Sequence, residues 1–221
     1  MRLHIHPSSL WIAYGIRRPS EVQARLPANL RLASVPLYAN DKRPSPKLLF
    51  NAYDVTSEPR YMHGHRIDVQ TIAYDTRRHT VHLVVLDCIT DAAHWDPSAG
   101  IRMFGNARCS RPSRGVGDDY TLHVTSLRDR GVLSLRARRG ERRAVGWRFA
   151  VEANRKCYFR DLAAPFQMVF DEANVGRPVR ELSVRTLTNT FWARERYEAP
   201  SHVFVHEQAM SFAMVNLTNF A

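Results

Sequence analysis

The stretch HRIDVQTIAYDTRRHTVHLVVLDCI, residues 65–89, decides the fold class. Apolar residues alternate with other residues in its two halves, residues 65–75 and 80–89, and the polar segment TRRH separates them. Such alternation is typical of β-strands, because successive side chains of a strand point to opposite faces of the sheet. The stretch therefore predicts two successive β-strands.

The same alternation recurs in the rest of the chain. Six further segments show it: residues 120–127, 131–138, 146–153, 165–172, 180–196 and 201–215. Only residues 19–30 favour a short helix, with Ser20 as N-cap and Pro27 at its end. A sheet of eight or more strands must close on itself or stack on another sheet to hide its apolar face. We therefore expect a mainly β chain, an antiparallel β-barrel or barrel-like sandwich with a few short helices.

Length and composition indicate one sizeable core. The 221 residues are 44% hydrophobic, so we expect a single domain over residues 1–221. The sequence has no run of 18 apolar residues and no signal-peptide pattern, which favours a cytoplasmic protein without a membrane partner. Cys88, Cys109 and Cys157 lack CxxC spacing, so neither a disulfide framework nor a zinc cage is indicated.

The net charge of +11 raises the question of a nucleic-acid partner, because a basic surface neutralises phosphates. The arginines are spread along the chain, and their densest cluster, residues 136–148, is interpreted as a solvated hairpin turn around Gly140. The sequence contains no helix-turn-helix pattern, zinc finger or aromatic RNA-binding motif. We therefore expect no nucleic-acid partner, and we relate the charge to solubility and steering.

The order of the motifs resembles that of the acetoacetate decarboxylase-like superfamily. Residues 11–32 resemble the family's opening strand, short helix and LPxxL-type segment. Residues 48–57 and 64–73 resemble its next two strands, and residues 180–210 resemble its closing strands. The resemblance covers almost the whole chain in the right order. It implies the family's antiparallel β fold, a lyase and a homo-oligomer.

The segment that corresponds to the family's catalytic stretch departs from the pattern. In the family's decarboxylases a lysine forms a Schiff base with the substrate ketone. In residues 100–112 the matching positions hold Arg108 and Cys109, with Ala107 in place of the proline. Arginine cannot act as this nucleophile, because its guanidinium stays protonated. A lysine-dependent decarboxylase is therefore not expected.

The lysines elsewhere in the chain are also poor candidates for this role. Lys42 and Lys47 are assigned to a polar loop, and Lys156 lies well away from the catalytic stretch. A decarboxylase would therefore depend on an unexpected residue.

The resemblance also suggests which residues carry the chemistry. Asp68 matches the family's acidic position and is a candidate general acid or base. Arg66 is two residues away, so both side chains point to one face, where they either tune each other or form a structural salt bridge. Asn51 stands where family members often carry a carboxylate. It either contacts a substrate oxygen or holds a strand end.

The segment at residues 100–112 offers two further groups. Arg102 and Arg108 can clamp a carboxylate, because a guanidinium presents two parallel donors. Cys109 is a candidate nucleophile, since the flanking Arg108 and Arg111 would lower the pKa of its thiol. The predicted catalytic residues are Asp68, Arg108 and Arg66. The predicted substrate-binding residues are Asn51, Tyr53, His65, Arg102, Phe104 and Cys109.

The histidines raise the question of a metal site. His63 and His65 flank Gly64, and His202 and His206 would share one strand face. Two residues at i and i+2 can bind one ion, but the sequence indicates no third ligand. Ten histidines in one chain also make such spacings common. We therefore expect no metal and no cofactor.

These residues together predict a lysine-independent lyase, with dehydratase or cyclase chemistry more consistent with them than Schiff-base decarboxylation. The expected substrate is a small or polyketide-like carbonyl or carboxylate compound in specialised biosynthesis. The arginines would hold an anion or polarise a carbonyl, and Asp68 would move the proton. The alternative is a non-catalytic small-molecule-binding protein, whose signature would be an apolar pocket with Asp68 neutralised by Arg66.

Overall fold

A computed structural model describes most of the chain. The described residues are 2–58, 63–91, 94–96, 101–103, 107–109, 113–114, 119–127, 130–153, 156–159, 166–170, 176–191 and 197–216. Their strands are β1 (Arg2–Ile5), β2 (Ser9–Ile16), β3 (Leu30–Leu32), β4 (Lys47–Glu58), β5 (His63–Asp75), β6 (Thr80–Thr90), β7 (His94–Asp96), β8 (Ile101–Met103), β9 (Ala107–Cys109), β10 (Ser113–Arg114), β11 (Asp119–Ser126), β12 (Val132–Arg143), β13 (Lys156–Phe159), β14 (Phe166–Phe170), β15 (Val179–Asn189), β16 (Tyr197–His206) and β17 (Met210–Asn216). The helical segments are α1 (Pro19–Gln23) and a π-helix at Arg148–Ala153. No helix in this part of the chain is long and apolar enough to cross a membrane.

Within the described ranges, fifteen strands form one sheet. Its order is β10-β11-β12-β15-β16-β2-β4-β1-β17-β14-β13-β6-β5-β3, with β9 paired to β11. Neighbouring strands run antiparallel except β13 and β6, which are parallel. The prediction of a mainly β, antiparallel chain with few short helices is therefore confirmed. The sheet as a whole is not a closed barrel, because its path ends at β10 and β3.

Seven of these strands pair in a ring. One edge of β4 pairs first with β2 and then with β1, and its other edge pairs with β5. From β1 the pairing continues through β17, β14, β13 and β6 to β5, which returns to β4. One apolar core packs on one face of these strands, with Leu3, Tyr53, Val85 and Phe212 among its members, and we call this face the ring-core face.

A second core covers the opposite face of the same strands. Phe50 of β4, Val69 of β5 and Leu86 of β6 belong to it, together with Leu122 of β11 and Leu135 of β12. Strands β4 to β6 are thus buried on both faces. Any polar side chain in the middle of these strands is consequently shielded from water.

The arginine cluster at residues 136–148 does not form the expected hairpin turn. Strand β12 runs through Gly140, and its ladder with β15 is irregular between Arg139 and Arg142. A Cβ at Gly140 would lie 2.9 Å from the backbone oxygen of Glu181. Glycine therefore permits close approach at a β-bulge here, and does not mark a turn.

Two local predictions are also wrong. Residues 146–153 were expected to form a strand, but they contain the π-helix. Trp147 is 64% exposed, whereas Phe149 and the next residue, Ala150, are both buried, and two consecutive buried residues do not fit the alternation of a strand with one exposed face. Helix α1 starts at Pro19, whose fixed backbone angle suits the first turn, so Ser20 lies inside the helix instead of capping it.

Candidate functional site

The register of four neighbouring strands places four side chains in one row on the ring-core face. Trp11 of β2 pairs with Asn51 of β4, and Asn51 pairs with Asp68 of β5. Asp68 in turn pairs with Cys88 of β6. Directly paired residues of antiparallel strands share a face, so these side chains are neighbours.

Asp68 is the centre of a buried polar cluster, which consists of Tyr53, Arg66 and Asp68. Asp68 is fully buried and Arg66 is 6% exposed. The Arg66 Nη2 atom donates a hydrogen bond of 2.9 Å to Asp68 Oδ1, and the Tyr53 hydroxyl donates one of 2.5 Å to Asp68 Oδ2. The predicted residues Tyr53, Arg66 and Asp68 are thus brought together, and both oxygens of the carboxylate accept a hydrogen bond.

The electrostatics of this polar cluster follow from burial and from one ion pair. Burial raises the pKa of the Tyr53 phenol well above its usual value, against the opposing charge of Arg66. Burial also disfavours the charge on Arg66, but its interactions with Asp68, Cys88 and Tyr53 together raise the pKa of the guanidinium. Burial raises the pKa of Cys88, which faces Asp68 as a neutral thiol. The cluster therefore contains one compensated charge pair and one neutral donor, Tyr53, and the neutral thiol of Cys88 lies beside it.

Asn51 lies beside the polar cluster and is also hydrogen-bonded within the protein. The Ser9 hydroxyl donates a hydrogen bond of 2.8 Å to Asn51 Oδ1, and both residues are buried. This bond joins β2 to β4, as expected for a residue that holds a strand. A contact between Asn51 and a substrate stays a prediction.

His65 and Cys109 lie apart from the polar cluster. His65 is adjacent to Arg66 in β5, so its side chain points to the opposite face. It lies between two carboxylates that the sequence reasoning missed: Asp91, whose Oδ2 is 2.5 Å from His65 Nδ1, and Asp54, whose Oδ1 is 3.5 Å from His65 Nε2. The period of two in β5 already separates His65 from Asp68.

The environment of Cys109 is the reverse of the one expected. Burial raises the pKa of its thiol to about 12, and the charges of Asp91 and Asp54 contribute to the increase. The expected lowering of this pKa by flanking arginines is therefore wrong in direction. A thiolate at Cys109 is disfavoured in this structure.

Arg108, one of the two arginines of the predicted clamp, does not lie at the polar cluster. Arg108 is exposed on β9, opposite Thr125 of β11, whereas the preceding Ala107 is buried in the second core. Arg102 belongs to β8, and its side chain is not among the described ones. Phe104 lies outside the described residues altogether. The roles of Arg102, Arg108 and Phe104 stay predictions.

The other histidine pair is held by local contacts. His202 Nε2 lies 3.1 Å from Asp41 Oδ1, and burial against Trp11 and Phe204 lowers the pKa of His206 to about 4. In the part of the chain that the structure describes, no three His, Cys, Asp or Glu residues are arranged to hold a metal ion.

A cleft of about 240 Å³ opens at the end of the β4–β5 ladder. Its lining residues are His6, Asp54, Val55, His63, Gly64 and His65. Val55 and Gly64 are paired with each other and lie one step beyond the pair Tyr53 and Arg66 on the same face. The cleft is therefore close to the polar cluster along the β4–β5 ladder, although its polar lining residues lie on the opposite face of these strands.

Comparison with solved structures identifies the fold of the chain. An acetoacetate decarboxylase-like enzyme from Sphingomonas wittichii RW1 is similar over 98% of this chain and 92% of its own, with a TM-score of 0.51 and 11% identity. The acetoacetate decarboxylase from Legionella pneumophila is similar over 98% of this chain and 86% of its own, also with a TM-score of 0.51 and 11% identity. The chain has the acetoacetate decarboxylase-like fold. No family model matches the sequence, and no curated protein does.

The acetoacetate decarboxylase-like fold raises the question whether a lysine of this chain lies at the polar cluster. Lys42 is exposed, and Lys47 is not in a loop as expected but begins β4 and is buried. Lys47 shares a strand face with Asn51, yet the two are four positions apart, which is about 13 Å along a strand. The side chain of Lys156 is not described. Neither Lys42 nor Lys47 is therefore placed at the polar cluster.

Proposed function

We propose that this chain is a lysine-independent lyase of the dehydratase or cyclase type. Its substrate is a small or polyketide-like carbonyl or carboxylate compound, and its biological context is specialised biosynthesis. The observation that supports the proposal is the buried cluster of Tyr53, Arg66 and Asp68 in an acetoacetate decarboxylase-like sheet. Buried ionisable groups are costly, and they are concentrated at functional sites.

The proposed chemistry uses the two hydrogen-bonded acids of the cluster. In a dehydration, Asp68 takes the proton from the carbon next to the substrate carbonyl, and the electron pair forms the new double bond. The departing hydroxyl takes the Tyr53 proton and leaves as water. The 2.5 Å hydrogen bond then returns the proton from Asp68 to Tyr53. Arg66 supplies the counter-charge of the carboxylate before the first step.

The first experiment asks whether the protein removes a carbon-bound proton without a lysine. Wild-type protein is incubated with pyruvate, acetoacetate and hydroxyacetone in D2O, and loss of the protons next to the carbonyl is followed by NMR. Borohydride is added in parallel, and intact mass reports any reduced adduct. Catalysed exchange without an adduct supports the proposal. An adduct that Lys47→Arg abolishes would replace it with a lysine-dependent mechanism.

Variants then locate the activity. Asp68→Asn is expected to lower the exchange rate of acetoacetate and pyruvate about 100-fold or more, the usual contribution of a positioned acid or base. Tyr53→Phe removes the hydroxyl that bonds Asp68, and Tyr74→Phe is the matched control, because Tyr74 bonds His79 near the far end of β5. Equal loss in both tyrosine variants would contradict the proposed role of Tyr53.

One observation favours the alternative of a non-catalytic binding protein. Both oxygens of Asp68 are occupied, one by Arg66 and the other by Tyr53, so the carboxylate is already neutralised within the chain. Under this alternative the probes bind without proton exchange. Saturable binding of a probe by wild-type protein, together with no exchange above the buffer rate, would establish it in place of the lyase.

A further inference from the structure

Imidazole and carboxylate groups alternate in a row at the rim of the ring, on β4 and β5 and on the residues that directly follow β1 and β6. The row consists of His6, Asp54, His65 and Asp91, and we call it the rim row. The backbone N–H of His6 donates to the carbonyl of Asp54, and Asp54 pairs directly with His65. The backbone N–H of Asp91 donates to the carbonyl of His65. All four side chains therefore lie on one face, opposite the polar cluster of Asp68.

Asp91 fixes the position of His65 with both carboxylate oxygens. Its Oδ1 accepts the backbone N–H of His65 at 2.8 Å, and its Oδ2 lies 2.5 Å from Nδ1 of the same residue. A ring held in this way at Nδ1 directs Nε2 elsewhere, which is the arrangement of a histidine positioned for proton transfer. Thr90 adds a further bond, because its hydroxyl donates to the carbonyl of His65.

The His65 side chain, which carries the remaining ring nitrogen Nε2, borders an accessible cleft. The His65 side chain is 30% exposed, and the residue lines the 240 Å³ cleft together with His6, Asp54 and His63. Asp54 Oδ1 is the charged neighbour of Nε2, at 3.5 Å. The Cys109 thiol is a titratable group that lies near Asp91.

We propose that the rim row is a second acid–base site, distinct from the polar cluster, in which His65 exchanges a proton through Nε2 with a small hydroxyl- or carbonyl-bearing ligand in the cleft. The ligand's C–H or O–H bond breaks, its proton forms the new N–H bond at Nε2, and its electron pair stays on the ligand. The imidazolium then lies between the carboxylates of Asp54 and Asp91, which stabilise its charge. Asp91 is a positioning residue, because it acts through His65.

This site goes beyond the lyase proposed above, because it uses the other face of β4 and β5. The two can therefore be tested separately. His65→Gln removes the proposed acid–base group and leaves Asp68 intact, and Asp68→Asn does the reverse. His123→Gln is the matched control, since His123 is exposed on β11 away from the cleft.

The experiment measures proton exchange of hydroxyacetone in D2O between pH 5 and pH 9. His65→Gln is expected to lose 100-fold or more of the exchange that Asp68→Asn retains, whereas His123→Gln stays within twofold of wild type. Asp91→Asn is expected to move the pH profile, and Asp91→Glu to restore its position. If Asp91 had a purely structural role, Asp91→Asn would lower the folded fraction but leave the midpoint of the pH profile unchanged.

A second measurement covers the case in which His65→Gln fails to fold. Wild-type protein is treated with diethyl pyrocarbonate, and peptide mass spectrometry follows modification of His65 with and without hydroxyacetone. Modification of His65 that hydroxyacetone slows supports the site. A His65 that does not react, a reaction that hydroxyacetone does not slow, or exchange that survives in His65→Gln overturns it. Exchange lost only in Asp68→Asn overturns the rim site and retains the lyase.

Discussion

Arg66 and Asp68 form an ion pair in the interior, with Nη2 and Oδ1 2.9 Å apart and the carboxylate fully buried. The pair is formed within one strand, by residues i and i+2 on the same face. Because each charge is compensated mainly by the other, the two residues behave as one unit. Any change at one of them alters the electrostatic state of its partner.

Removal of one partner is therefore expected to destabilise the protein strongly. Asp68→Leu leaves the Arg66 guanidinium buried without its counter-charge, which costs about 3–5 kcal/mol of the free energy of unfolding. The double variant Arg66→Met with Asp68→Leu is expected to recover much of this loss. Urea unfolding followed by circular dichroism measures both effects. A double variant less stable than Asp68→Leu would contradict the account of a mutually compensated pair.

Stability is expected to fall as the pH decreases from about 6.5 to about 4 because of His206. Burial lowers its pKa from 6.5 to about 4 in the folded state, so the unfolded chain binds the proton more tightly. The stability that depends on neutral His206 is thus complete above pH 6.5 and is lost as the pH approaches 4. At about 1.4 kcal/mol per pKa unit, the full effect is about 3–4 kcal/mol.

His206→Phe supplies the control for this pH dependence. It keeps a ring against Trp11 and Phe204 but cannot take up a proton. The difference in unfolding free energy between wild type and variant, measured from pH 4 to pH 7.5, isolates the His206 contribution. A difference that is constant over this range would show that His206 is not buried as a neutral group.

The Cys109 thiol is expected to react slowly with alkylating agents. Its pKa of about 12, compared with 9.0 for an ordinary thiol, lowers the thiolate fraction at pH 8 by about 1000-fold. Iodoacetamide labelling followed by peptide mass spectrometry gives the rate at this residue in folded protein and in urea. Labelling in the folded protein as fast as in urea would contradict the assigned environment. Asp91→Asn is expected to accelerate labelling, because it removes one of the charges that raise the pKa.

Gly140→Ala is expected to destabilise the β12–β15 ladder. The new Cβ would lie 2.9 Å from the backbone oxygen of Glu181, and relief of this contact requires the backbone to move. An overpacked position of this kind costs about 1–3 kcal/mol. Ser134→Ala, on the same strand, is the control and is expected to change stability by less than about 0.5 kcal/mol. Equal stability of the two variants would indicate that the bulge relaxes freely.

The alternating segments predict the strands well, because a strand that is buried on at least one face leaves its period in the sequence. Strands β5 and β6 match the quoted stretch at residues 65–89 almost to the residue. Residues 146–153 show how the rule fails, since a short π-helix can present a pattern that also fits a strand. Gly140 shows a second failure, because glycine is equally suitable for a turn and for a bulge.

The candidate site was predicted only within single strands. The spacing of Arg66 and Asp68 shows from the sequence alone that they share a face, and it also places His65 on the other one. The register that brings Asn51 and Cys88 to Asp68 depends on how three strands align, which none of them encodes locally. Asp91 was missed for the same reason, because its relation to His65 is created by the pairing of β5 and β6.

The pairing of β1 with β17 has a consequence for synthesis of the chain. Ile5 lies opposite Met210 in this ladder, so the ring of seven strands cannot be completed until the last strand has left the ribosome. At about 5–20 residues per second, the edge of β1 stays unpaired for about 10–40 seconds and that of β14 for about 2–9 seconds. Unpaired edges are templates for intermolecular association. Chaperones that hold the nascent chain during this interval are therefore expected to raise the yield of folded protein more than those that act after its release.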